Sequence, residues 1–86
     1  MMIIERKNVV IEVTSYGKSM YGGWYANFTY ITDDLEHNPN WRSNWQELRE
    51  RTHKFDGVRR DTLQELCNWL GVSRTALKGD VMRWDN

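Results

Sequence analysis

Between residues 2 and 16 apolar and polar side chains follow the period of an extended chain. Val9, Ile11 and Val13 fall on one side and Val10, Glu12 and Thr14 on the other. That alternation predicts a half-buried strand, with Lys7-Asn8 setting Ile3-Ile4 apart as a short separate piece. Residues 17–22 are rich in glycine and polar residues and predict a loop. From Gly23 to Thr32 the alternation returns: Trp24, Ala26, Phe28 and Tyr30 share one face, Tyr25, Asn27, Thr29 and Ile31 the other. Two strands joined by a short loop predict an antiparallel hairpin.

The period then changes. Trp41, Trp45, Leu48, Thr52 and Phe55 recur at spacings of four, three, four and three. They predict one helical stripe, opened by Asn38 as cap with Pro39 at the first helical position, and closed by Asp56-Gly57. Leu63, Leu66, Cys67 and Leu70 form the stripe of a second helix, for which Asp61 is the expected cap and Gln64 its partner three residues on. Gly71-Val72-Ser73 reads as a turn. Ser73 caps a third helix over residues 74–84, whose inward side is Leu77, Val81 and Trp84. The predicted fold class is α+β: an N-terminal antiparallel β-hairpin (1–32) followed by three α-helices (39–84), in one domain spanning 1–86.

Composition narrows this picture modestly. Eighty-six residues suffice for one core and not for two. With 40% hydrophobic and 28% charged residues, the chain has the balance of a folded domain rather than a disordered one. Eleven aromatic residues supply much of the buriable area. The single cysteine excludes an intrachain disulfide, and no segment approaches the ~20 apolar residues of a membrane span. The start lacks the long apolar run of a signal peptide. These features predict a cytoplasmic protein with no membrane partner.

Net charge is zero, so bulk electrostatics do not select nucleic acid. The distribution is uneven: residues 1–39 hold three basic and five acidic side chains, residues 40–86 nine and seven.

Residues 61–84 carry the clearest functional pattern. Gly71 suits a bend between two helices, Cys67 is the small residue four positions before it, Val72 plugs the corner, and Leu77 anchors the second helix. This stretch resembles the helix-turn-helix of DNA-binding regulators. The resemblance implies that Ser73, Arg74, Thr75 and Lys78, with Met82 further along, meet bases or phosphates in the major groove, and that Arg59 and Arg60 hold backbone phosphate. One such unit reads few base pairs, so a homodimer is expected, with the exposed hairpin edge as its route. Gly79 costs ~1 kcal/mol against alanine inside a helix, which makes Gly79-Asp80 an alternative end for the last helix.

A second reading takes its cue from general character. Small, neutral, aromatic-rich chains of this size resemble phage- and plasmid-encoded proteins that inhibit or modulate a host protein. On that reading Tyr25, Tyr30 and Trp69 are interface residues and no DNA is bound. The aromatic strand as a stacking platform for single-stranded bases is disfavoured by the lack of a basic frame in sequence. Cys67 and His53 invite a nucleophile-and-base reading, but Cys67 lies on an apolar stripe, where a buried structural cysteine is commoner. His37, His53 and one cysteine make no zinc spacing. Neither an enzyme nor a cofactor is expected; the expected partner is double-stranded DNA or a host protein.

Overall fold

The computed structural model describes residues 2–81. Four strands form one antiparallel meander: β1 (Met2–Arg6), β2 (Val9–Lys18), β3 (Trp24–Thr32) and β4 (Phe55–Arg60), in that spatial order. Three helices accompany them: α1 (Trp45–Thr52) between β3 and β4, then α2 (Leu63–Leu70) and α3 (Arg74–Val81). The class is α+β, but the predicted order of one hairpin followed by three helices is wrong. Strands and helices are interleaved, and the segment beginning at Phe55 returns to the sheet.

The physical reason lies between residues 38 and 60. The stripe from Trp41 to Phe55 is not one helix. Asn38 spends its side chain on Thr32 Oγ1 (3.3 Å) and the Asp34 carbonyl (3.0 Å) instead of capping. Such local bonds from asparagine compete with helical backbone pairing. Residues Leu35–His37 and Trp41–Ser43 are isolated 3-10 turns, and α1 starts only at Trp45. The helix stops at His53, which adopts a left-handed conformation (φ 47°, ψ 51°) while its N–H donates to the Arg49 carbonyl at 3.0 Å. Tyr30 N–H then donates to the Lys54 carbonyl at 2.9 Å, and pairing with β3 runs from Phe55 opposite Thr29 to Arg60 opposite Trp24.

The hairpin itself lies where the alternation placed it, and Ile3-Ile4 belong to a separate strand. Lys7, at φ 54°, makes the tight turn between β1 and β2. The pairing of β2 with β3 slips by one residue at Thr14: Val13 faces Phe28, and Ser15 faces Asn27. This bulge keeps Tyr16 on the side of Ile11 and Val13, which strict alternation would not. Thr14 Oγ1 donates to the Asn27 carbonyl there at 3.1 Å.

Both faces of the sheet are covered, so β2 is buried on two sides rather than half-buried. One face packs Ile4, Ile11, Val13, Tyr16, Ala26 and Phe28 against Leu63, Leu66, Cys67, Leu70 and Leu77. Here α2 lies over β3 and β4, and α3 over β1 and β2. The other face packs Val10 and Ile31 against Trp41 and Leu48, with Trp45 half-buried beside them. Glu12 points to this second face with its side chain only 3% exposed. Arg49 of α1 forms an ion pair with it, and Thr29 Oγ1 donates to the same carboxylate oxygen at 3.4 Å. The pair fixes α1 to the sheet, because removing Arg49 leaves the buried Glu12 carboxylate without its cation. No helix among the described residues is long and apolar enough to cross a membrane.

Of the three glycines with positive φ among the described residues, Gly23 and Gly71 sit under different constraints. A Cβ on Gly71 (φ 78°) meets no atom within 4 Å. A Cβ on Gly23 (φ 78°) collides with Arg59 and with the Arg60 carbonyl oxygen. Gly71→Ala is therefore expected to cost only the backbone term, ~1–2 kcal/mol, or on the order of 5–10 °C in thermal midpoint. Gly23→Ala is expected to cost clearly more. Thermal denaturation of both variants checks the ranking, and equal midpoints would contradict it.

Candidate nucleic-acid interface

The corner between α2 and α3 is built by local chemistry. Thr62, one residue later than the expected Asp61, caps α2: its Oγ1 accepts from Glu65 N–H at 3.1 Å and donates to Glu65 Oε1 at 3.0 Å. Gln64 instead bonds Asn68 along the exposed side of the helix, at 2.9 Å. At the other end Gly71 turns left-handed, and its N–H and that of Val72 both donate to the Cys67 carbonyl, at 2.8 and 3.1 Å. Ser73 Oγ then accepts from Ala76 N–H at 3.0 Å and caps α3. The helix continues through Gly79 to Val81.

The phase of α3 follows from Leu77, which is fully buried. With Leu77 inward, Ser73, Arg74, Thr75 and Lys78 are all exposed. Arg74 and Lys78 are four residues apart and so lie on the same side of the helix. Among the described residues neither forms an ion pair with a carboxylate. Met82 and Trp84 lie outside the described residues.

The other expected site residues separate. Arg59 is tied into the sheet: it donates to the Gly22 carbonyl at 2.7 Å and to Asp61 at 3.1 Å. The Arg60 guanidinium lies 5.8 Å from the Trp69 ring and bonds the Arg59 carbonyl at 2.8 Å. Both belong to β4 rather than to a free segment before α2. Tyr25 faces one side of the sheet; Tyr30 and Trp69 share the other, so the three make no single surface. Trp69 is half-buried, 5.8 Å from Phe28 in ring centroids, with the Arg6 guanidinium 4.3 Å away. The hairpin edge offered as a dimer route is covered on both sides, by β1 and β4.

Two features escape sequence reasoning. A cleft of about 420 Å³ opens beside Trp69, Phe28 and Tyr30, with Arg6 and Lys7 on its rim. Lys54 lies 4.6 Å from the Tyr30 ring. The basic frame missing from the aromatic strand in sequence is thus supplied by β1 and by the segment after α1. In the sequence only the break in alternation at Lys7-Asn8 hints at it. The second feature is the exposed tip of the β2–β3 hairpin, where Met20 and Tyr21 are 88% and 87% exposed.

Cys67 and His53 lie on opposite sides of the sheet, so they cannot act together as nucleophile and base. Among the described residues no three histidine, cysteine or acidic side chains gather as a metal site. Compared with models of known families, with characterised proteins and with solved structures, the chain shows no significant match.

Burial pushes the Cys67 thiol above its ordinary pKa, with the Arg74 cation acting in the opposite direction. The folded state therefore favours the neutral thiol. That contribution to stability is complete at pH values below the ordinary thiol range and is lost as pH rises through the raised value. Cys67 is expected to resist a thiol reagent until denaturant is added. The stability advantage of the wild type over Cys67→Ala is expected to shrink from pH 7 to pH 10. Rapid labelling of the native protein would contradict the burial argument.

Proposed function

We propose that this chain is a small cytoplasmic DNA-binding regulator that presents α3 to the major groove of double-stranded DNA. The observation that carries the reading is the left-handed Gly71 corner with Leu77 buried beneath α3, which leaves Ser73, Arg74, Thr75 and Lys78 together on the outside. A helix N-terminus with exposed hydroxyl and cationic groups suits phosphate and base edges alike: arginine for guanine, serine, threonine and lysine for phosphate. Zero net charge keeps non-specific attraction weak and leaves affinity to these local contacts.

A specific observation favours a second reading. Met20 and Tyr21 project from the hairpin tip with nearly all their surface in water, as expected of a segment that docks on another protein. On that reading the chain is a modulator of a host protein and ignores DNA.

Fluorescence anisotropy with labelled duplex DNA at several salt concentrations separates the two. For a regulator, binding weakens with salt, and Arg74→Ala/Lys78→Ala lowers the slope of log K against log salt by ~2 while circular dichroism is unchanged. Absence of binding at low salt, together with nuclease-resistant co-purification of a stoichiometric protein lost in Met20→Ser/Tyr21→Ser, would replace this reading with the second.

A further inference from the structure

β1 and β4 close the sheet, and β4 is the barer edge: all six of its residues are exposed or half-buried, and Phe55 is 66% exposed. It carries no proline, and its three charges, Asp56, Arg59 and Arg60, are of both signs. Its sequence, Phe55-Asp56-Gly57-Val58-Arg59-Arg60, is also complementary to itself. Antiparallel pairing about a twofold axis perpendicular to the sheet keeps every side chain on its own face, so only residues of like face oppose one another. On the face shared with α2 these are Asp56, Val58 and Arg60. With the axis at Val58, Val58 meets its own copy, and Asp56 meets Arg60 of the second copy twice over. Centring on Gly57 would set Asp56 against Val58; centring on Arg59 would set Val58 against Arg60. Both lose the two charge pairs.

Within one chain neither charge meets an opposite one among the described residues; each instead holds a backbone group of the open edge, which pairing would hand to the partner strand. Asp56 accepts from the adjacent Gly57 N–H at 2.7 Å and, among the described residues, pairs with no cation. Arg60 bonds a carbonyl and, among the described residues, no carboxylate.

We propose that two copies join through β4 in this register to form an eight-stranded antiparallel sheet. The arrangement leaves the two α2 helices roughly 10 Å apart, a distance at which helices pack. It also places both α3 helices on the same side. With strands ~4.8 Å apart and α3 over β1 and β2, the α3 helices stand roughly 30 Å from each other. This is close to the ~34 Å between successive major-groove faces of a duplex. That match rests on the DNA-binding reading; the dimer itself does not.

Sedimentation of the full chain without DNA tests the dimer, and the charges test its register. Wild type is expected to dimerise. Asp56→Arg and Arg60→Asp, each folded by circular dichroism, are expected to self-associate roughly tenfold or more weakly, since each opposes like charges. An equimolar mixture of the two variants is expected to recover the dimer, because opposite charges then face each other at both positions. A monomeric wild type, or single variants that dimerise as wild type does, would overturn the proposal. If the dimer forms and responds to these charges while duplex DNA is ignored, the interface stands and the regulator reading falls. If DNA is bound by a monomer, the reverse holds.

Discussion

Leu70 and Leu77 are both fully buried on the same face of the sheet, and the chain between them must reverse direction. That constraint shapes the α2–α3 end of the molecule. Only a left-handed residue at 71 closes the corner so tightly, and glycine adopts it without a Cβ penalty. Once the corner is set, Ser73 falls where its hydroxyl can cap the next helix, and Leu77 fixes that helix in phase. The outward placing of Arg74, Thr75 and Lys78 is a consequence of these three residues rather than an independent feature.

The sheet supplies the platform on which the corner stands. Its second face is covered by Trp41 from the preceding turn and clamped by α1 through Leu48 and through Arg49, which meets the buried Glu12. A buried carboxylate is a poor source of net stability, but it tolerates only one partner geometry, so it holds α1 in a single position. Covering both faces also leaves the strand edges as the sheet's open surfaces, and of these β4 presents a charge pattern that complements its own copy.

The parts legible in the sequence are those decided by neighbours in the chain. The β2–β3 alternation, the Leu63–Leu70 stripe and the glycine corner each follow from local period and turn chemistry, and each lies close to where it was expected. Phe55–Arg60 was illegible because Phe55 falls in helical spacing with Thr52 and Leu48, and Asp56-Gly57 reads as a stop. Pairing with β3, a tertiary choice, overrides both signals. Arg59 and Arg60 consequently lie within a strand, not simply ahead of a helix. The cations over Trp69 were hidden for a related reason: Arg6 and Arg60 come from the two edge strands, far apart in the chain, that only the fold brings to one ring.

The central claim is that α3 offers its first turns to DNA. The most direct measurement is a titration of ¹⁵N-labelled protein with duplex DNA, followed by amide chemical shifts. The amides of Ser73, Arg74, Thr75 and Lys78 are expected to move together while those of Met20 and Tyr21 stay still. Shifts confined to the hairpin tip or to the Trp69 cleft, or no shifts at low salt, would contradict it.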